Sequence, residues 1–390
     1  MIYRRRLNMA TESGGRPDPG VTAARFFDSR SAYMIFSTAT NEKAVVATRI
    51  GDYLDLIQPG ERALRIFDAG IGDGSVLTHL MRRMHKVFTH IPWLVVSKEI
   101  SIEDVRLALD KLPDRFFEHP EMVFVVTNMS FREAPSLLPT LRDDQPDLLW
   151  REVALSGSTT DDFARQIRDL YPELSEGWAV RTSPKTGNPL YVRPSVLVIY
   201  RGDRRFVLEP LIPRPEGTEG LYDLVIASQP YRARTSVEHK TRTVLVPLAR
   251  ALAPGGRLVV VHSHGRDPGL EIIRGVWPDE DPFQTGRQEL QTEARRQLDD
   301  PALVFDELDD AEAIFRYELH AMSSEVQEHI GTSLVMAAWN AAAYVAQIDE
   351  DRLSQAMTSG IFVDATRQVL RRYGGVWFND ELYMISRRGA

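Results

Sequence analysis

The chain has 390 residues, 43% of them hydrophobic, enough for one large domain or two ordinary ones with a sizeable core. Its 47 basic and 55 acidic residues leave a net charge of −8, which excludes a broad electrostatic attraction to nucleic acid or an anionic membrane. With no cysteine there are no disulfides, thiolate nucleophiles or cysteine-ligated metals, and the 9 histidines remain as candidate ligands.

No apolar run approaches the roughly 18 residues of a membrane helix, so the chain reads as cytoplasmic, with no membrane partner. Residues 1–20 carry two prolines and little to bury, and read as a flexible arm. From 21 to 60, apolar residues at helical spacing (Ala24, Phe27, Val45, Val46, Ile50, Leu54) predict a helical cover, and a sheet domain follows from 61 to 390. Strand-like RIFDAG, helix-like GSVLTHLMRRMH, strand-like PWLVVSKE, helix-like IEDVRLALDKL and strand-like MVFVVTN alternate, which implies a parallel sheet with crossover helices.

The alternation breaks between about 142 and 219, where an insertion is expected. There TDDFARQIRDLY suggests a polar helix, and the run from Pro189 to Pro213 suggests a hairpin turning at Arg201-Gly202-Asp203. The sheet pattern resumes at YDLVIASQP. A turn at Pro254-Gly255-Gly256 leads into RLVVVHSHG. The last third predicts a strand IFRYELHA, one long helical region from Ser324 to about Arg372, and a closing strand GVWFNDELYMISRR.

The chemistry concentrates in DAGIGDG, where Asp68, Gly70, Gly72 and Gly74 join a strand to a helix. Glycines let the backbone approach a ligand and adopt positive φ, and the helix start presents free amides. Dinucleotide-binding loops read G-x-G-x-x-G, whereas the spacing here is G-x-G-x-G followed by Ser75, which argues against nicotinamide or flavin.

This loop resembles the first motif of the class I S-adenosylmethionine-dependent methyltransferases, acidic-x-G-x-G-x-G. The resemblance implies a Rossmann-like α/β sheet, mostly parallel with an antiparallel C-terminal strand, under the helical cover and carrying the β-hairpin-containing insertion. It implies S-adenosylmethionine as cofactor and S-adenosylhomocysteine as product. Asp68 and the three glycines would form the cofactor loop, and Glu99, ending PWLVVSKE, would take both ribose hydroxyls, for which a carboxylate is suited. Asn128 and Met129, after the third strand with Thr127, would contact adenine, and Ser228 would border the cofactor at the fourth strand. Glu99 also reads as an ordinary acid near a helix start, because Ser101 and Glu103 follow.

YMIFSTATNEK, SQPY, the stretch Trp277 to Asp281, and VWFNDELYMI resemble places in the histamine N-methyltransferase-like small-amine enzymes. That likeness implies N-methylation of a small amine, with Glu42 holding the cationic end of the acceptor and Gln229 and Asn379 as hydrogen-bonding partners. Tyr231 and Trp277 would line the acceptor pocket. In-line attack by an amine lone pair needs mainly alignment. His262, or His264 beside it, is the candidate base if one is used. Glu42 reads equally as a first-turn acid capped by Thr40 or Asn41, and Asn379 as a turn residue with Asp380. His262 and His264 share a strand face, but no third ligand stands out, so no metal is expected.

Other readings remain open. Aminopropyl transfer would show an acidic cluster after the fourth strand, where Ala227-Ser228-Gln229-Pro230 stands instead. A nucleic-acid base methyltransferase would be less acidic, so no nucleic-acid partner is expected. O-methylation, peptide methylation and a non-catalytic binding or scaffold protein on the same fold stay as alternatives. The insertion could serve as a lid or as the surface for a homodimer or protein partner.

Overall fold

The computed structural model describes residues 30–140, 147–182, 189–321 and 330–389. The arm expected over 1–20 and the first part of the cover lie outside the described residues. The central strands are short apolar runs that need no polar face, because helices cover both sides. These are β1 (Leu64–Asp68), β2 (Trp93–Lys98), β3 (Met122–Thr127), β8 (Tyr222–Ser228) and β9 (Leu252–Ser263). Every residue of β2 and β3 is buried.

With the insertion strands β4 (Leu149–Leu155) and β7 (Ser195–Arg201), and with β10 (Leu303–Phe305) and β12 (Trp377–Arg387), the sheet runs β10-β12-β9-β8-β1-β2-β3-β7-β4. β3, β2, β1, β8 and β9 pair in parallel, and β12 enters antiparallel to β9. A further strand, β11 (Ile314–Glu318), pairs with the start of β12. The order reverses at β1: β2 lies on one side and β8 on the other, which opens a crevice at the carboxyl ends of these strands.

The helices follow from their apolar stripes. Helix α3 (Ser75–Val87) buries Val76, Leu77, Leu80, Met81 and Met84 against the sheet. Helices α1 (Arg30–Ala39) and α2 (Glu42–Gly51) form the described part of the cover. Their joint is stitched to β11 by backbone bonds: Asn41 N–H to Glu318 O at 3.1 Å and His320 N–H to Ala39 O at 2.8 Å. Neither expected cap acts as one. Asn41 Oδ1 instead accepts from Glu318 N–H at 2.7 Å, and Thr40 donates back to Phe36 O.

Three local expectations are corrected. No hairpin turns at Arg201-Gly202-Asp203; the chain leaves β7 through a short 3-10 turn into a helix at Arg205–Leu208. Arg201 is held there by its bidentate pair with Asp203, 3.0 and 2.7 Å. The insertion's small antiparallel pair is instead β5 (Val180–Thr182) with β6 (Pro189–Tyr191). Pro254-Gly255-Gly256 lies within β9 as a bulge, Tyr222 pairing with Leu252 and Leu224 with Arg257. A Cβ on Gly256 would lie 2.5 Å from Tyr222 O, so only glycine lets the strands close there. The C-terminal helical region is three helices, Thr332–Val345, Glu350–Ser359 and Ile361–Tyr373, broken where Gln347 and Gly360 take positive φ.

Near the amino ends of β2 and β3, the His119 ring stacks on Trp93 with centroids 3.7 Å apart, and its Nε2 bonds Ile91 O at 3.0 Å. Burial pushes its pKa down from 6.5 to about 4. The unfolded chain therefore takes up a proton near pH 6.5 that the folded chain refuses. His119's contribution is complete above pH 6.5 and is lost as pH falls towards 4. Urea midpoints measured from pH 7.5 to 4.5 are expected to fall less steeply in His119→Phe than in the unaltered protein; equal slopes would refute this.

Candidate active site

A cavity of about 430 Å³ opens at the carboxyl ends of β1, β2, β8 and β9, within the range of small-molecule sites. Gly70, Glu99, Ser228 and Ser263 bring the four strand ends to its wall, and the cover supplies Tyr33, Phe36, Glu42 and Lys43. A cavity of about 510 Å³ beside Arg65 and Tyr222 lies at the opposite strand ends, away from the loop after β1.

The loop after β1 is built for close approach. Asp68 Oδ1 accepts Gly70 N–H at 3.1 Å, and Gly72 N–H crosses to Glu99 Oε2 at 2.8 Å. A Cβ on Gly70 would meet nothing within 4 Å; it would project into the cavity. Gly72 (φ 52) and Gly74 (φ 79) are left-handed, and a Cβ on Gly74 would lie 2.8 Å from Ala108 Cα. Thus Gly70 leaves room for a ligand, whereas Gly74 leaves room for the next helix.

Glu99 is 7% exposed, and its Oε1 also accepts Ile100 N–H at 2.6 Å and Ser101 N–H at 2.9 Å. Three donors for four lone-pair sites leave acceptor capacity on Oε2, beside Gly70 and Gly72. Helix α4 (Ile102–Leu109) starts directly beyond, capped by Ser101 Oγ accepting Asp104 N–H at 3.2 Å. Asp73 accepts from Lys111 Nζ at 2.7 Å and from Ser75 Oγ at 2.6 Å. Burial opposes its charge, but these bonds hold its carboxyl at about 2. Burial pushes Asp68 up to about 7, against the Gly70 bond.

The far wall carries an ion pair and aromatic rings. Glu42, 2% exposed at the start of α2, lies 2.8 Å from Lys43 Nζ. Despite burial, Glu42 holds the Lys43 ammonium well above its ordinary value. Phe36 stacks on Tyr344 at 4.7 Å and meets Tyr317 edge-on at 6.1 Å. Gln229, at φ 49, has its amide fixed: Nε2 donates to Asp380 Oδ2 at 3.2 Å, and Oε1 accepts Ser263 N–H at 3.2 Å. Asp380 is fully buried on β12; burial, then the Glu42 charge, raises its carboxyl well above the usual range.

The cavity therefore unites Gly70, Gly72, Glu99, Ser228, Glu42 and Gln229. Asp68 lies directly beneath, in a small recess shared with Lys43 and Gly70. Other expected residues lie elsewhere. Asn128 faces the insertion, donating to Gly177 O at 2.8 Å and Arg193 O at 3.0 Å while accepting Ser195 N–H at 3.0 Å. Its polar atoms are spent there, and Met129 is buried in the core on one face of the sheet. Phe131 lines the cavity instead, with Lys98 Nζ 4.7 Å from its ring.

His262 Nε2 stands 3.1 Å from Glu381 Oε1, in a small recess behind Gln229 that Tyr231 also lines. His264 approaches Glu381 at 3.5 Å, and Arg287 pairs with it at 3.1 Å. Despite burial, these partners hold Glu381 well below the usual carboxylate range. Tyr231 shares its hydroxyl with Tyr383 at 3.3 Å. Trp277 packs on Trp339 at 5.8 Å under the Arg352 guanidinium, and Asn379 Nδ2 holds Gly265 O and Arg266 O, both at 3.2 Å. Neither lines the cavity. Among the described residues no group of three His, Asp or Glu could hold a metal ion, and no helix is long and apolar enough to cross a membrane.

The sequence matches no protein-family profile and no curated protein. Solved structures similar to the chain include one from the conversion of a disulfide bond into a thioacetal group during echinomycin biosynthesis, with 12% identity over 90% of this chain and 82% of that one, TM-score 0.34. A geranyl diphosphate methyltransferase gives 11% identity over 87% and 78%, TM-score 0.32. Phosphoethanolamine N-methyltransferase 2 of Haemonchus contortus gives 9% over 94% and 60%, TM-score 0.31. Likenesses this loose leave the fold assignment to strand order and the loop after β1. On those grounds the chain has a Rossmann-like sheet whose central strands β3, β2, β1, β8 and β9 are parallel, flanked by β12 antiparallel to β9 at one side and by β7 antiparallel to β3 at the other.

The two glycines separate experimentally. Gly70→Ala is expected to melt with the unaltered protein while losing about tenfold or more in affinity for a ligand of the cavity. Gly74→Ala is expected to cost about 1–3 kcal/mol of stability. Thermal melting with ligand titration checks both, and a destabilised Gly70→Ala would contradict the cavity's open wall.

Proposed function

We propose that this chain is an S-adenosylmethionine-dependent methyltransferase acting on nitrogen of a small amine-containing molecule. The observation that carries the reading is the bond from Gly72 N–H to Glu99, which joins the glycine loop to the second strand end beside an open cavity wall at Gly70. The fit to the cofactor is chemical as well as spatial. Glu99 keeps acceptor capacity for ribose hydroxyls, Gly70 lets a ligand reach the backbone, and Asp68 lies close enough to answer a positive charge.

When bound, S-adenosylmethionine supplies a methyl group already activated on a sulfonium. The protein's part is then positioning and charge. Glu42, shared with Lys43, and the rings of Phe36, Tyr317 and Tyr344 would favour a polarised, electron-poor group on the acceptor. The Gln229 amide, fixed by Asp380 and Ser263, would orient the acceptor without competing for its lone pair. Neighbouring positive charge would lower the pKa of an ammonium acceptor and so favour its reactive neutral form. His262, held against Glu381 behind Gln229, would act on this site only through intervening groups.

Calorimetric titration with S-adenosylmethionine and S-adenosylhomocysteine tests the reading, with Glu99→Ala as control. Micromolar binding, weakened at least tenfold by the substitution, is expected; absence of binding by folded protein would overturn the proposal.

Glu42→Gln is expected to leave the S-adenosylhomocysteine dissociation constant within about twofold while reducing amine methylation about a hundredfold, scored by mass spectrometry as transferred methyl. Equal loss of both would make Glu42 a structural acid.

A further inference from the structure

We infer that the insertion is a brace for the nucleoside half of the site, with Trp178 and Tyr191 as positioning residues for Glu99. This rests on the methyltransferase reading of the same cavity. It replaces the expectation of a detached lid or partner-binding surface with a role inside the site.

The segment Glu99-Ile100-Ser101 is gripped from two sides. Its amides are held by Glu99's own side chain, Ile100 N–H at 2.6 Å and Ser101 N–H at 2.9 Å. The Glu99 and Ile100 carbonyls are held by the insertion: Trp178 Nε1–H donates to Glu99 O at 2.9 Å, and the Tyr191 hydroxyl donates to Ile100 O. The peptide before Glu99 is held by the sheet and the loop, Glu99 N–H to Thr127 O at 3.0 Å and Ile71 N–H to Lys98 O at 3.1 Å, whereas the two peptides after it depend on the insertion for both carbonyl partners.

The brace is itself anchored. Trp178 is 5% exposed and belongs to the core of one sheet face, so its indole cannot swing away. Val192 N–H bonds Ala179 O at 2.9 Å, joining the Tyr191 strand to the Trp178 segment. Asn128 ties both to the end of β3 through Gly177, Arg193 and Ser195, and Thr127 Oγ1 adds a bond to Ser195 O at 2.8 Å. Beyond this, β7 pairs along β3, so the brace is continuous with the sheet that carries Glu99.

Without these donors the peptides after Glu99 could rotate, and the carboxylate that caps their amides could be carried away from Gly72 N–H. The loss would fall on recognition of the ribose hydroxyls, the groups a misaligned carboxylate fails first. Trp178→Phe keeps most of the packing and removes only the donor.

The test is calorimetry of the full chain and of Trp178→Phe with S-adenosylhomocysteine, and competition by adenosine and by 2′,3′-dideoxyadenosine. The variant is expected to weaken S-adenosylhomocysteine about tenfold. Its preference for adenosine over the dideoxy analogue should collapse towards unity, a change that general destabilisation would not produce. Tyr191→Phe, at a half-buried position, should shift both in the same direction, and it stands alone if Trp178→Phe does not fold. Variants that melt normally, bind with unaltered affinity and keep the hydroxyl preference would overturn the brace while leaving the methyltransferase reading intact. Failure of the unaltered protein to bind S-adenosylhomocysteine would overturn both.

Discussion

The bond between Gly72 N–H and the Glu99 carboxylate is the contact on which the proposed site depends. It ties the loop after β1 to the end of β2, so the two strand ends move as one wall of the cavity. A buried carboxylate without donors would cost several kcal/mol, but three backbone amides satisfy this one while it keeps acceptor capacity towards the cavity. The same economy explains why the loop needs glycine twice for different reasons. Gly70 leaves space for a ligand, and Gly74 leaves space for Ala108 at positive φ.

Charge is divided by environment. Glu381 is surrounded by His262, His264 and Arg287 and stays ionised, whereas its neighbour Asp380 faces Glu42 and the Gln229 amide and is held towards its neutral form. Adjacent residues on one strand point to opposite faces of the sheet, so a two-residue acidic pair serves two unrelated networks. One locks the outer strands together. The other fixes the amide that faces the cavity.

The insertion changes what the sheet can do at its β3 edge. A sheet ending at β3 would expose an edge and leave the Glu99 segment without carbonyl donors on that side. Here β7 and β4 extend it, and the segment between them delivers Trp178 and Tyr191 to the wall of the proposed nucleoside site. The cost is that Asn128, at the position where the resemblance suggests an adenine contact, is consumed in holding the insertion, and Phe131 takes the cavity wall instead.

The sequence by itself determined the central sheet and the loop. The apolar runs of β1, β2, β3, β8 and β9 are too continuous to face water, and Asp68, Gly70, Gly72, Gly74 and Glu99 are local to strand ends, where spacing alone fixes position. Only the tertiary structure decided the rest. Whether Asn379, Trp277, Tyr231 and His262 face the cavity depends on how β12 and the C-terminal helices pack across β9, and that packing turned them to Gly265, Trp339, Tyr383 and Glu381. Likewise Phe36, Tyr317 and Tyr344 come from three distant segments, and no local pattern marks them out from core aromatics. Of the insertion's main strands only β7 was visible as an apolar run; β4 was not read, the run expected as a second strand after Arg201-Gly202-Asp203 begins as a helix, and the insertion's role was not visible. A carbonyl at Glu99 and an indole at Trp178 meet only because antiparallel pairing of β7 with β3 folds the insertion back over the strand ends.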